Sequence, residues 1–87
     1  MSIQLRYTLR FHRDMKRLND EVCKRVKKSL QQFIENQKHP GLNFERIVGT
    51  EFSSIRAGKN YRIILEEETP TSYIVLRVAP HDIYRTL

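Results

Sequence analysis

The spacing of apolar residues changes once along this chain, and the change limits the folds open to it. Before Pro40, apolar side chains recur every three to four residues over two stretches, which is the period of a helix face. From Phe44 onward that period disappears, and β-branched and aromatic runs alternate with turn signals. Since 87 residues suffice for one domain only, the helices and strands must share one core.

Two helices are predicted in the first part of the chain. The apolar face of the first consists of Phe11, Met15 and Leu18. The apolar face of the second consists of Val22, Val26, Leu30, Phe33 and Ile34. Asn19 or Asp20 is expected to begin the second helix, because these side chains accept hydrogen bonds from free N–H groups. Pro40 and Gly41 are expected to end it.

Strands are predicted at the start and throughout the second half. Alternation of Ile3, Leu5 and Tyr7 with polar residues indicates a short first strand. The later strands are Phe52 to Ala57, Tyr61 to Glu67, Ser72 to Ala79 and, more weakly, Phe44 to Val48. The order β-α-α-β-β-β-β predicts an α+β domain over residues 1–87, in which a two-helix hairpin packs on one face of an antiparallel sheet. The other face would be free for function.

Positive charge is unevenly distributed. A net charge of +6 and a pI near 9.8 favour a polyanionic partner. Residues 1–43 hold ten basic and four acidic side chains, whereas residues 44–87 hold six of each. The second helix contributes Lys24, Arg25, Lys27 and Lys28. These cations are interpreted as a phosphate-docking surface or as a solvated helix face.

The cysteine content and the apolar stretches argue for an intracellular chain. Cys23 has no second cysteine with which to form an internal disulfide, which is typical of a reducing cytoplasm. The longest apolar runs are too short to span a bilayer, so no membrane partner is expected. No Cys/His cluster has the spacing of a metal site.

Two segments of the second half resemble a known family. They are RAGKNYRII at 56–64 and VAPHDIYR at 78–85. In their order and spacing, together with the helices and the chain length, they resemble the RelE/ParE superfamily of type II toxins. The resemblance implies a small cytoplasmic toxin encoded beside an antitoxin. RelE-like members cut mRNA in the ribosomal A site without metal or another cofactor, whereas ParE-like members poison DNA gyrase without catalysis.

The resemblance also implies a set of site residues. Metal-free RNA cleavage needs a base near the 2′-hydroxyl, an acid near the 5′ leaving oxygen and cations for the phosphate. Arg62 is the first candidate for the phosphate, because a guanidinium matches two phosphate oxygens at once. His81 is a candidate proton carrier that Asp82 could orient, and Tyr84 is a candidate for stacking or proton transfer. Each has an ordinary structural alternative on a strand, a turn or a sheet edge.

The place of Arg56 depends on the turn that follows it. A three-residue loop at 58–60 would set Arg56 opposite Arg62 on one face, and a two-residue loop would turn Arg62 away. Further RNA contacts are assigned to Lys24, Arg25, Lys27, Lys28, Arg46 and Lys59.

One departure from the family pattern keeps other functions open. The best-known ribonucleases of the family carry lysines on the strand before the arginines, whereas residues 51–54 offer no cation. A ParE-like gyrase inhibitor and a member that has lost its activity are therefore the alternatives. Under both leading hypotheses the partner is an acidic, partly disordered antitoxin that folds as it wraps the toxin in a hetero-oligomer.

Overall fold

The computed structural model describes residues 3–80, which form two α-helices and five strands. The helices are α1 (Leu9–Lys16) and α2 (Asp20–Glu35), and a short 3₁₀ helix follows at Pro40–Leu42. The strands are β1 (Gln4–Tyr7), β2 (Glu45–Arg46), β3 (Phe52–Ala57), β4 (Tyr61–Thr69) and β5 (Ser72–Pro80). Neither α-helix of this part of the chain is long and apolar enough to cross a membrane.

Both helices begin at side-chain caps. The Thr8 hydroxyl accepts the N–H of Phe11 at α1, and the Asn19 side chain accepts the N–H of Val22 at α2, which confirms the predicted start. The predicted end of α2 at Pro40 is wrong, because the helix stops at Glu35. Asn36 is extended there, with φ −159° and ψ 100°, and its side chain accepts the N–H of Lys38.

The five strands form one mixed sheet in the order β1-β5-β4-β3-β2. The three pairings among β2, β3, β4 and β5 are antiparallel, as predicted, whereas β1 pairs with β5 in parallel. Two successive reversals, from β3 to β4 and from β4 to β5, give β5 the direction of β3, and β2 runs opposite to both. Since β1 shares that direction, the helix hairpin must lie between two strands that run oppositely, β1 and β2. The predicted α+β class and the helix hairpin on one side of the sheet are confirmed.

One face of the sheet, here called the helix-covered face, holds the main core. Ile55, Ile63, Leu65 and Val75 project from it and are 0% exposed. Phe33 of α2 is also 0% exposed, and its ring packs edge-on against Phe44 and Tyr73 at 5.1 and 5.0 Å. The predicted apolar faces of the helices thus pack against the apolar strand residues in one layer.

The opposite face, here called the open face, is mixed in chemistry. Ile64 and Ala79 are buried there, and a half-buried apolar group consisting of Ile47, Phe52 and Leu76 packs against them. Along β3 and β4, side chains alternate between the two faces, so Arg56 and Arg62 also belong to the open face. This face combines a small apolar patch with arginines.

Candidate functional site

The β3–β4 register brings two arginines together. Ala57 pairs with Tyr61 and Arg56 with Arg62, so residues 58–60 form the three-residue loop that sets both arginines on one face. Directly opposite residues hold their Cβ atoms about 4.5 to 5.5 Å apart. Like charges in such a pair destabilise a sheet, and the pair is therefore poorly explained by folding stability.

Arg62 is buried at the centre of the sheet. Its strand, β4, lies between β3 and β5, and the side chain is only 3% exposed. One guanidinium nitrogen, Nη1, donates to the carbonyl of the adjacent Tyr61 at 3.3 Å. Within residues 3–80, the buried Nε has no hydrogen-bond partner. A buried cation with donors to spare is costly, and an anion that accepts from it would offset the cost.

Arg56 differs from Arg62 in exposure although the two are paired. Its side chain is exposed, because β3 ends one residue later and the loop turns away. Its backbone is fixed, since the hydroxyl of Ser29 on α2 donates to the Arg56 carbonyl at 2.8 Å. The pair thus joins one buried guanidinium to one exposed guanidinium.

The loop that follows places two further predicted cations together. Gly58 has φ +72°, and a Cβ built there would lie 2.9 Å from Cδ of Arg25, so Arg25 crosses directly over the loop. Arg25 also forms an ion pair with Glu21 at 3.0 Å. Arg25 and Lys59 line a cavity of about 330 Å³ between α2 and the loop. The end of the hairpin is therefore basic.

The remaining predicted RNA contacts lie away from the arginine pair. Lys24, Lys27 and Lys28 are exposed on α2, whose buried stripe faces the sheet, so they project from the opposite side of the molecule. Arg46 pairs with Ser53, which places it at the β2 edge on the helix-covered side. Among residues 3–80, the structure consequently has two basic surfaces on opposite sides of the sheet, and Arg25 and Lys59 lie at the hairpin end.

The predicted proton carriers fall outside the described part of the chain. His81, Asp82 and Tyr84 follow the last described residue, Pro80. In the sheet, Pro80 pairs with Tyr61 and Ala79 pairs with Arg62. The last described residues, Ala79 and Pro80, therefore lie beside the arginine pair.

The acidic run Glu66-Glu67-Glu68 has separate structural roles. Glu66 pairs with Phe52 on the open face, four positions along β4 from Arg62, or about 13 Å. Glu67 accepts from the hydroxyl of Tyr73 at 3.0 Å, and Glu68 pairs with Arg6 at 2.8 Å. Burial raises the pKa of Tyr73, and the hydrogen bond to Glu67 raises it further. The arginine end of the open face is thus separate from its acidic end.

Sequence reasoning missed two residues near the pair. Asp14 is not part of the predicted apolar face of Phe11, Met15 and Leu18, yet it is only 9% exposed and accepts the backbone N–H of Val78 at 3.1 Å. Arg77 faces Ile64 across β4–β5, and its buried Nε has no hydrogen bond within residues 3–80. The available signal was a single acid among the four cations Arg10, Arg13, Lys16 and Arg17 of the first helix and its end.

Comparison with solved structures assigns the fold. The chain is similar to RelE in the RelB-RelE antitoxin-toxin complex from Methanococcus jannaschii, with a TM-score of 0.68 and 26% identity over 94% of this chain and 98% of that chain. It is similar to a YoeB/ParE toxin from Agrobacterium tumefaciens, with a TM-score of 0.73 and 14% identity over 91% and 99%. It is also similar to a variant of E. coli toxin RelE in the free state, with a TM-score of 0.71 and 17% identity over 94% and 86%.

These similarities define the class of protein. The chain has the fold of the RelE/ParE toxin superfamily, which confirms the resemblance drawn from its motifs. No protein-family model matches the sequence, and no curated protein matches it. The likeness therefore lies in the arrangement of the helices, the sheet and its register rather than in extended sequence identity.

Proposed function

We propose that this chain is the toxin of a type II toxin-antitoxin pair and that it cleaves mRNA on the ribosome. The observation that carries the proposal is the facing of Arg56 and Arg62 on the open face, with Arg62 buried and its Nε unpartnered among the described residues. A pair of guanidiniums fits the two non-bridging oxygens of a phosphodiester, which share one negative charge. Solved neighbours of this fold include RelE and YafQ toxins.

The proposed chemistry uses the RNA's own 2′-hydroxyl. The 2′ oxygen forms a bond to phosphorus while the bond from phosphorus to the 5′ oxygen breaks, and the products are a cyclic phosphate and a 5′-hydroxyl. The 2′ proton passes to a base, and an acid protonates the leaving oxygen. Arg62 and Arg56 would stabilise the charge that develops on the phosphoryl oxygens. His81 and Tyr84 are the proposed proton-transfer and stacking groups.

The two basic surfaces are proposed to bind different RNAs. Lys24, Lys27 and Lys28 project away from the sheet and would hold ribosomal RNA phosphates without reading sequence. The arginine pair on the open face would receive the mRNA. Because Arg25 and Lys59 lie at the hairpin end between them, one bound surface of RNA could contact both regions.

Primer extension on growing cells tests the proposal. Induced expression of the wild type should arrest growth and produce new mRNA 5′ ends, and Arg62→Ala and His81→Ala should abolish those ends. Lys38→Ala is the matched control, because Lys38 is an exposed cation in the loop after α2, remote from the arginine pair. Growth arrest with intact mRNA would contradict the nuclease.

A gyrase inhibitor is the second candidate, and the apolar part of the open face favours it. Phe52, Ile64 and Leu76 contribute to an apolar patch beside Ser54. Arg56 is the one cation that β3 contributes to the open face. Such a surface suits a protein partner. Cleaved DNA covalently linked to gyrase, with mRNA intact, is the result expected for this candidate.

A cognate antitoxin is proposed under both candidates. Several solved neighbours are antitoxin-toxin complexes, among them RelBE2 from Mycobacterium tuberculosis and RelE-RelB from Pyrococcus horikoshii. An acidic segment would complement the net charge of +6. Calorimetry with the product of the adjacent gene should give tight, salt-sensitive binding, and weak binding independent of salt would contradict the pairing.

A further inference from the structure

Arg77 is a further arginine whose register places it on the open face, beside Arg56 and Arg62. It pairs with Ile64 across β4–β5, and Ala79, two residues on, pairs with Arg62. Arg77 and Arg62 are therefore diagonal neighbours on adjacent strands, with backbone positions about 7 to 8 Å apart. Long side chains interact across that distance. Neither the motif at 56–64 nor that at 78–85 includes Arg77.

Within residues 3–80, the buried Nε of Arg77 has no hydrogen-bond partner. Its side chain is 28% exposed, and its buried Nε lies 3.9 Å from Oδ2 of Asp14, beyond hydrogen-bond distance. Asp14 already accepts from the Val78 N–H at 3.1 Å and from Nε of Arg10 at 3.2 Å. Arg77 is thus held beside a carboxylate that other donors occupy.

The structural role at this edge of the sheet belongs to Asp14. The pairing of β1 with β5 ends at Tyr7 and Val75, so within residues 3–80 the outer edge of β5 has no strand neighbour at Val78. Asp14 provides the missing acceptor from α1, and the hydroxyl of Thr8 donates to the Leu76 carbonyl at 2.6 Å. These contacts hold β5 without any hydrogen bond from Arg77.

We propose that Arg77 binds a phosphate of the same RNA that Arg56 and Arg62 engage, and that Asp14 is its counterion while the site is empty. The inference rests on the proposed function and extends it by one phosphate. A guanidinium binds carboxylate oxygens and phosphate oxygens in the same way, so Arg77 can exchange Asp14 for a phosphate. Arg56, Arg62 and Arg77, on β3, β4 and β5, would then contact successive parts of the backbone of one RNA strand.

Salt-dependent binding to an uncleavable RNA tests the inference apart from catalysis. Fluorescence anisotropy is measured on a single-stranded 2′-O-methyl RNA oligonucleotide over a series of salt concentrations, with the full-length chain. Arg77→Gln should weaken binding by roughly tenfold at low salt. The slope of log affinity against log salt should become less steep by about 0.7, as for the loss of one phosphate contact. Arg77→Lys should restore the slope.

Two further variants distinguish an effect of the Arg77 charge from an effect of a displaced β5. Arg6→Gln removes an open-face arginine that Glu68 already neutralises, and it should leave the affinity and slope unchanged. Asp14→Asn keeps an oxygen acceptor for Val78 but removes the counterion, so binding should tighten by roughly two- to fivefold. Circular dichroism establishes that each variant is folded.

The outcomes distinguish this inference from the proposed function. An Arg77→Gln protein that binds with the wild-type affinity and slope overturns the inference, even if the wild type cleaves mRNA. Weaker binding by Asp14→Asn, equal to that of Arg77→Gln, also overturns it, because strand position would then be the cause. A wild type that shows the expected slopes but leaves mRNA intact in cells refutes the nuclease and supports the phosphate contact.

Discussion

The two faces of the sheet are built from the same strands, yet they bury different kinds of side chain. On the helix-covered face, successive inward residues of β3 and β4 are Ile55, Ile63 and Leu65, and all are 0% exposed. On the open face, the alternate positions of the same strands include Arg56 and Arg62. Burial on the first face removes apolar area from water, whereas burial on the second removes a charge from water.

This difference indicates which face is shaped by stability and which by function. A buried arginine opposite a second arginine has no stabilising explanation among the described contacts. The helix-covered face therefore accounts for folding, and the open face carries a cost that a bound anion would offset. Four substitutions test this contrast.

The largest effect is expected on the helix-covered face. Phe33→Ala removes a fully buried ring that contacts Phe44 and Tyr73, and it should lower the free energy of unfolding by about 3 to 5 kcal/mol. Urea denaturation followed by circular dichroism measures it. Val48→Ala, at a side chain 96% exposed, is the control and should change stability by less than about 0.5 kcal/mol. Similar losses for both would contradict the assigned core.

Arg62→Met should affect activity and stability in opposite directions. Loss of the guanidinium should reduce mRNA cleavage by about 100- to 1,000-fold, since an oriented donor to the phosphate is removed. The apolar replacement should raise the free energy of unfolding by about 1 kcal/mol, because a buried charge disappears. Cleavage in a translation extract and urea denaturation measure the two quantities. A variant that is both active and less stable would show that Arg62 belongs to the core.

The loop at 58–60 joins β3 to β4 and sets Arg56 opposite Arg62, and Gly58→Ala tests its geometry. The φ of +72° and the 2.9 Å approach to Arg25 predict a loss of about 1 kcal/mol in the free energy of unfolding. Thermal denaturation measures the loss. Gly41→Ala is the matched control, because a Cβ there would meet no atom closer than 3.4 Å. Equal effects at the two glycines would argue against the loop geometry.

The smallest effect concerns Tyr73 at the rim of the helix-covered face. Its raised pKa means that the folded state holds the phenol proton more tightly than the unfolded chain, whose pKa is near 10.0. The resulting stabilisation is present below that pH and is lost as the pH rises through the folded pKa. Wild-type stability, measured by urea denaturation between about pH 9 and pH 11, should fall more steeply than that of Tyr73→Phe. Parallel curves would contradict the shift.

Much of the fold could be predicted because its signals are local. The stripe from Val22 to Phe33, the cap at Asn19 and the bounds of β3 are each encoded within a few residues. The early end of α2 was missed because the extended conformation of Asn36 precedes the breaker Pro40. The parallel pairing of β1 with β5 was missed because it joins segments about seventy residues apart in the chain, and no local pattern specifies it.

The residues of the candidate site also divide into those with a local sequence signal and those without one. Arg62 could be predicted from the segment RAGKNYRII at 56–64. The pairing with Arg56 was one of two alternatives set by the loop length, and the structure selects it. Asp14 and Arg77 could not, because a contact between α1 and the edge of β5 arises only when helix and strand pack together. A residue is found from sequence when its role depends on near neighbours, and it is missed when its partner is distant.

The sequence by itself determined the α+β class, the two amphipathic helices, the strand positions and the basic first half, because hydrophobic period and charge are local properties. Only the tertiary structure decided that Lys24 and its neighbours lie on the opposite side from Arg62, that Arg62 is buried, and that Arg77 lies beside Asp14. Burial and proximity of charges depend on which surfaces pack against each other. Those relations exist only once the chain has folded.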